Sequence, residues 1–135
     1  MPQTKVVFFR DEDQTVPALE WLREMKRRDS HITAKFHERI LALGALGWEM
    51  TRPASDTLRD GIHELRVRVG TVNYRLLYGF HDQDGQPTIA LLVHGLTKER
   101  AVPPEDIDLA IRRRAAFAAD PAAHTYVRLV PPPRR

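Results

Sequence analysis

Cysteine is absent from the 135-residue sequence. Disulfides, thiolate nucleophiles and cysteine metal ligands are therefore excluded, which fits the reducing cytoplasm. The six histidines follow no metal-ligand spacing, and the sequence has no glycine-rich phosphate loop, no HExxH motif and no nucleophile elbow. We therefore expect a cytoplasmic protein that needs neither a metal nor another cofactor.

Long hydrophobic runs are also missing. No stretch approaches the about 20 apolar residues of a membrane span, and the apolar run that ends at Arg10 is too short for a signal peptide. At 42% hydrophobic and 29% charged residues, the composition is typical of a globular protein without membrane contact. We predict one domain over residues 1–118, followed by a partly disordered, proline-ended tail over residues 119–135.

The excess of positive charge is small. Lysine and arginine number 21 against 18 acidic residues, which gives a formal net charge of +3 and a pI of about 9.6. This balance suits a polyanionic partner but does not establish one. The positions of the arginines in the fold therefore have to show whether such a partner is expected.

Hydrophobic periodicity predicts an α+β fold. Helices over residues 16–27 and 31–46 are joined by so few residues that they should form an antiparallel hairpin. Because this hairpin cannot bury its apolar face alone, it should pack on a small twisted antiparallel sheet, and a C-terminal helix should follow. The predicted order is β-α-α-β-β-β-α, with strands over residues 5–10, 62–69, 73–81 and 88–96 and the last helix over residues 103–118.

Side-chain alternation places several arginines on one face of this sheet. In the strand over residues 62–69, Glu64, Arg66 and Arg68 point away from the apolar residues. The next strand adds Arg75, and Lys98 and Arg100 follow the third strand. These five cations could form a phosphate-binding surface, but a half-buried sheet with one wet face would show a similar pattern. The residues alone leave both interpretations open.

Other polar positions favour structural interpretations. The run from Arg112 to Arg114 lies near the end of a predicted helix, where cations interact favourably with the helix dipole. His94 lies in an apolar stretch and is more typical of a satisfied core histidine than of a catalyst. Tyr78 should pack with its hydroxyl at the rim of the core.

Three segments form a recognisable combination. They are Leu58 to Arg66 (LRDGIHELR), Tyr74 to Tyr78 (YRLLY) and His94 to Arg100 (HGLTKER), with Pro103 beyond. Together they resemble the RelE/ParE superfamily of toxins from type II toxin–antitoxin systems, in its phage-derived HigB-like branch. The similarity covers about residues 5–117, and the implied fold agrees with the layout above.

The resemblance implies a ribosome-dependent, metal-independent endoribonuclease that cuts messenger RNA and stops growth. In this chemistry the messenger's 2′-hydroxyl attacks the adjacent phosphate, so the protein supplies proton transfer and cations. The resemblance implies catalytic roles for Arg75 and Arg66, with His94 and Tyr78 as acid–base candidates beside His124 and Tyr126. It implies RNA-binding roles for Arg68, Lys98 and Arg100.

The implied partners are a cognate helix-turn-helix antitoxin in a hetero-oligomer, the ribosome and messenger RNA. Two alternatives stay open, because relatives on one fold differ in function. One is a ParE-like DNA gyrase poison, and the other is a non-catalytic module that binds RNA or antitoxin. For the nuclease, Arg75→Ala is expected to abolish messenger cutting while leaving the fold intact.

Overall fold

The computed structural model describes residues 4–50, 54–97 and 100–126. Within them, three α-helices and five β-strands follow one another, with a short 3-10 turn at Gly47–Glu49. In chain order the elements are β1 (Lys5–Phe8), α1 (Pro17–Arg28), α2 (Ser30–Leu46), β2 (Ser55–Arg59), β3 (Ile62–Val69), β4 (Val72–His81), β5 (Ile89–Thr97) and α3 (Pro104–Ala119).

The strands form one sheet in the order β1-β5-β4-β3-β2. Neighbours from β2 to β5 are antiparallel, whereas β1 pairs with β5 in parallel, Lys5 opposite Ile89. The helical hairpin lies between β1 and the rest of the sheet in sequence, and a connection of this length allows a parallel pairing. The register places Arg66 directly opposite Arg75.

A single residue separates the two helices of the hairpin. Asp29 is both the C-cap of α1 and the N-cap of α2. As the N-cap, its carboxylate accepts a hydrogen bond of 2.9 Å from the His31 backbone N–H. An acidic cap satisfies an otherwise unpaired helix donor and interacts favourably with the helix dipole. The chain therefore reverses sharply, and the two helices pack on the same face of the sheet.

The sheet has a separate hydrophobic core on each face. The hairpin covers one face, where Phe36 and Leu43 meet Leu65, Leu76 and strand residues around them. Helix α3 covers the other face, where Ile107 and Phe117 pack on Ile62, Leu77 and Leu91. The α3 face also carries Glu64, Arg66 and Arg75, beside the part that the helix covers.

The predicted α+β class is confirmed, with a helical hairpin before the main strands and a helix after them. Two details differ from the prediction. The strand β2 was missed because its sequence, SDTLR, has one large apolar residue and lies at an edge of the sheet. The sheet is mixed rather than wholly antiparallel, because β1 runs parallel to β5.

Residues 120–126, the first part of the predicted tail, pack against β1. Thr125 forms an antiparallel bridge with Phe9, and the Tyr126 N–H donates to the Phe8 carbonyl at 3.0 Å. The buried His124 ring stacks on Phe9 with ring centroids 5.2 Å apart. The remaining tail, residues 127–135, lies outside the described residues.

No helix in the described parts of the chain has the length and apolar character needed to cross a membrane.

Candidate nucleic-acid interface

A buried carboxylate occupies the centre of the arginine cluster. Glu64 on β3 is fully buried, and its two oxygens accept hydrogen bonds from Arg75 Nη1 at 2.8 and 2.7 Å. Arg66 donates to the same carboxylate through Nη2 at 2.6 Å and Nε at 3.1 Å. Two adjacent guanidinium groups therefore share one internal carboxylate, and a second carboxylate, that of Asp56, lies 3.6 Å from Arg66. Their crowding is not by itself a sign of a missing anionic ligand.

Arg75 is a buried crosslink rather than an exposed group. Only 6% of the residue is exposed. Its Nη1 is bonded to Glu64 on β3, and its Nη2 donates to the Arg100 carbonyl at 2.9 Å. It thereby holds the segment after β5 against the sheet. This placement contradicts the expectation that Arg75→Ala would leave the fold intact.

Arg66, Arg68 and Arg100 are solvent-accessible cations beside this cluster, and we call these three residues the cationic face. The Arg66 side chain is 33% exposed and has a second carboxylate, that of Asp56, 3.6 Å away. Arg68 is exposed and donates to the Gly70 carbonyl at 3.2 Å. Arg100 is exposed, and Lys98 lies outside the described residues. Such partly exposed guanidinium groups can bind phosphate oxygens through forked hydrogen bonds.

His94 on β5 is held by two side chains of α3. Its Nε2 lies 2.7 Å from the Asp106 carboxylate, and its Nδ1 lies 3.3 Å from Arg113 Nη1. Arginine can only donate, so Nδ1 accepts and the proton sits on Nε2, where it is donated to Asp106. The same Arg113 nitrogen donates to the Val93 carbonyl at 2.9 Å, which makes the contact with the imidazole the longer of its two bonds. The His94 side chain is 18% exposed.

Tyr78 does not join the arginines. It lies in the core beneath the helical hairpin, on the opposite face of the sheet, and is only 1% exposed. Its hydroxyl is 2.7 Å from Ser55 Oγ. Burial raises the pKa of the Tyr78 hydroxyl, and the hydrogen bond with Ser55 offsets this only in part. A buried phenol with a raised pKa is a poor proton acceptor.

Comparison with family models identifies the chain. The model described as Phage derived protein Gp49-like (DUF891) matches residues 20–115, which is more than half of the sequence. The chain belongs to the Gp49-like family. This is a RelE-like, toxin-type family. The curated proteins and the solved structures gave no match.

The matched region of this Gp49-like protein contains the whole candidate site. It runs from within α1 to within α3 and includes β2 to β5, the cationic face and the His94–Asp106 pair. Strand β1 and residues 120–126, with the buried His124 and Tyr126 beside β1, lie outside it. Both C-terminal acid–base candidates pack beside β1 and not at the cationic face. His124 Nδ1 lies 2.8 Å from the Arg10 carbonyl, and the Tyr126 N–H donates to the Phe8 carbonyl.

The arginine run of α3 has structural contacts in this Gp49-like chain. Arg113 binds the Val93 carbonyl and His94, and Arg114 Nε donates to the Phe80 carbonyl at 3.0 Å. Arg114 lies over Gly79, where an added Cβ would come within 2.6 Å of its side chain. Arg112 is exposed. These contacts agree with a structural role for the arginine run. The contacts bind α3 to the sheet, whereas the sequence had predicted an interaction with the dipole at the helix end.

Sequence reasoning missed the partners of His94 and one pocket. No local pattern shows that Asp106, twelve positions after His94, meets its ring. The pocket, about 250 Å³ in volume, lies on the hairpin face near β2. The pocket is lined by Trp48, Met50, Ser55, Asp56, Thr57, His63, Tyr78 and Phe80.

A metal site is not evident in the parts of the chain that the structure describes, which hold no cluster of three or more candidate ligands. The positively charged atoms available to a phosphate there are those of arginine. The described groups of this face that can take part in chemistry include the guanidinium groups and the His94–Asp106 pair.

Proposed function

We propose that this Gp49-like protein is the toxin of a type II toxin–antitoxin system, of the HigB-like branch, and cuts messenger RNA on the ribosome. It would act in the cytoplasm and be neutralised by a helix-turn-helix antitoxin. Membership of a RelE-like family supports the toxin role. The observation that carries the nuclease role is the cationic face with a histidine–aspartate pair on the same side of the sheet.

The cationic face would hold the sugar-phosphate backbone. Arg68 and Arg100 are exposed, and Arg66 keeps a third of its side chain accessible although it is bonded to Glu64. Phosphate contacts position a nucleic acid without reading its sequence. Lys98, which lies outside the described residues, is proposed to contribute to RNA binding as well. The ribosome would then supply the alignment of the messenger that a shallow surface cannot supply.

The reaction needs no group beyond the RNA, the protein and water. The 2′-hydroxyl of one nucleotide attacks the neighbouring phosphorus, the bond from phosphorus to the 5′ oxygen breaks, and a 2′,3′-cyclic phosphate remains. Arg66 would stabilise the extra negative charge on the phosphate oxygens in the transition state. The leaving 5′ oxygen would take its proton from water.

His94 would accept the proton of the attacking hydroxyl. His94 Nδ1 accepts from Arg113 Nη1 at 3.3 Å, which is longer than the bond of the same nitrogen to the Val93 carbonyl. If Nδ1 exchanged this contact for the substrate hydroxyl, Arg113 would keep its bond to Val93. Asp106 on Nε2 would stabilise the imidazolium that forms. Arg75 and Glu64 are positioning residues in this scheme, because their atoms are buried and bonded to each other. Tyr78 has no role in it.

Messenger mapping in cells tests the proposal. The full chain is expressed in bacteria under tight control, and new messenger 5′ ends are compared between wild type, His94→Gln, Arg68→Gln and Arg112→Gln. Glutamine at position 94 can still bond to Asp106 but cannot take up a proton, so cutting should fall by about 100-fold or more. Arg68→Gln should reduce cutting several-fold, and Arg112→Gln, an equal loss of exposed charge on α3, should cut like wild type.

Three results would contradict the proposal in different ways. Growth arrest with DNA damage and no new messenger ends would favour the gyrase poison. Neither arrest nor cutting would favour a non-catalytic binding module. Cutting that persists when the start codon of a reporter is removed would show that translation is not required. Arg75→Ala is unsuitable as the inactive variant, because it also removes the bond to the Arg100 segment.

A further inference from the structure

The pocket on the hairpin face has an aromatic wall that faces solvent. Trp48, in the 3-10 turn after α2, is 81% exposed. Phe80 lines the pocket beside it, and both residues also line a smaller adjoining pocket of about 150 Å³ with Asp82 and Thr88. A large aromatic side chain that is exposed to water beside a second ring offers surfaces on which a flat ligand can stack.

A histidine with a free nitrogen forms part of the same pocket. The His63 ring stacks on Tyr78 with centroids 5.3 Å apart, and its Nδ1 lies 3.1 Å from Thr57 Oγ1. Its Nε2 has no hydrogen-bond partner among the described residues. Burial, and secondarily the charge of Arg114, lowers the pKa of His63. The ring is therefore neutral near pH 7 and can exchange one hydrogen bond with a ligand edge.

The size and charge of the pocket restrict its ligand. At about 250 Å³ it is below the range of about 300 to 1,000 Å³ that drug-sized ligands occupy. Asp56 is the only ionised group among its described lining residues, so the part of the ligand that enters carries no negative charge. A single planar ring system with polar edges fits these conditions, and a phosphate does not.

The pocket and the cationic face meet at the same edge of the sheet. β2 pairs only with β3 and is an edge strand. Asp56 on β2 lines the pocket and lies 3.6 Å from Arg66 Nη2 of the cationic face. An RNA strand that passes around this edge can therefore place phosphates on one side and a base on the other.

We infer that the Trp48 pocket binds one unpaired nucleobase of the RNA strand held by the cationic face, stacked on Trp48 and hydrogen-bonded by His63. This inference rests on the proposed function for the source of the base. Free nucleosides share the same chemistry, and the test separates the two sources.

Nucleoside titration tests the pocket alone. Adenosine, guanosine, cytidine and uridine, which lack phosphate, are added at millimolar concentration to the full chain while tryptophan emission is recorded and ligand binding is followed by NMR. At least one nucleoside should quench the emission saturably. Trp48→Ala should weaken binding by roughly 5- to 150-fold, and His63→Phe, which keeps the ring, by roughly 5-fold. Leu41→Ala, which removes another exposed apolar side chain (61% exposed), should bind like wild type.

Messenger mapping with the same variants tests the RNA source. Trp48→Ala should change the base preference beside the cut, whereas Leu41→Ala should not. If wild type cuts messenger, Trp48→Ala cuts at the same bases, and no nucleoside quenches the emission, the pocket inference is overturned and the proposed function stands. If a nucleoside binds through Trp48 and wild type cuts nothing, the base site stands as a nucleoside site and the proposed nuclease falls.

Discussion

Glu64 shows how one buried residue can determine the meaning of a charge cluster. Its carboxylate is 1% exposed and is shared between Arg66 and Arg75. Strand alternation correctly predicted that Glu64, Arg66 and Arg68 lie on one face. It could not predict that Glu64 is fully buried, because burial depends on tertiary packing that no pattern within β3 encodes.

Replacing Glu64 by glutamine should destabilise the fold strongly. The change leaves the buried Arg75 without its counter-charge, and breaking a buried ion pair from one side costs about 3–5 kcal/mol. Arg66 is partly exposed and can regain water, so we expect a value near the lower end. The free energy of unfolding in urea measures the effect. The matched control Glu38→Gln, on the exposed side of α2, should stay within about 0.5 kcal/mol of wild type, and an equal loss in both variants would contradict the argument.

The packing of the hairpin on the sheet depends on a glycine of β5. A Cβ at Gly95 would overlap the indole of Trp21 from α1, and Trp21 also packs edge-to-face on Phe36 of α2, with centroids 5.5 Å apart. Gly95 therefore allows the backbone of β5 and the ring of α1 to lie in direct contact. One position thus sets the distance of a whole helix from the sheet.

Gly95→Ala is expected to destabilise the protein, whereas Gly44→Ala is expected to stabilise it. The first change overpacks a tight contact, which costs about 1–3 kcal/mol. The second lies within α2, where an added Cβ meets atoms at ordinary distances of 3.6 and 3.7 Å and improves helix propensity by about 0.5–1 kcal/mol. Thermal unfolding of the two variants should shift in opposite directions. A similar downward shift in both would show that neither position has room for a methyl group.

The secondary-structure elements differed in how far the sequence could predict them. The hairpin, β3 to β5 and α3 have long periodic patterns and end close to the predicted residues. β2 is five residues long and largely polar, so its strand conformation depends on pairing with β3. The parallel pairing of β1 with β5 and the contacts of His94 are long-range, and no local pattern encodes them. The family resemblance implied an acid–base role for Tyr78 beside the arginines, whereas alternation along β4 puts Tyr78 on the face opposite Arg75.

The two hydrophobic cores share one sheet, so the molecule should unfold as a single unit. Phe36 lies in the core beneath the hairpin and Phe117 in the core beneath α3, and both are fully buried. The strands between them contribute side chains to both cores, and loss of either core exposes the same backbone. Neither layer is expected to persist without the other.

Phe36→Ala and Phe117→Ala should therefore each lower one common transition. Truncating a buried phenylalanine costs about 3–5 kcal/mol. Far-UV circular dichroism reports on all elements, whereas the fluorescence of Trp21 and Trp48 reports on the hairpin side. The two midpoints should coincide in wild type and in both variants. A Phe117→Ala protein that loses helical signal at a lower denaturant concentration than its tryptophan signal would contradict this coupling.

The position of β1 in the sheet affects how late in synthesis the sheet can be completed. β1 pairs with β5 on one side, and residues 124–126 follow its other side. Both neighbours of β1 thus lie more than 80 residues after it in sequence, and such distant pairings form late. A nascent chain lacks the finished sheet until the residues after Ile89 have emerged. Completion of the sheet is therefore one of the last steps in the assembly of this chain.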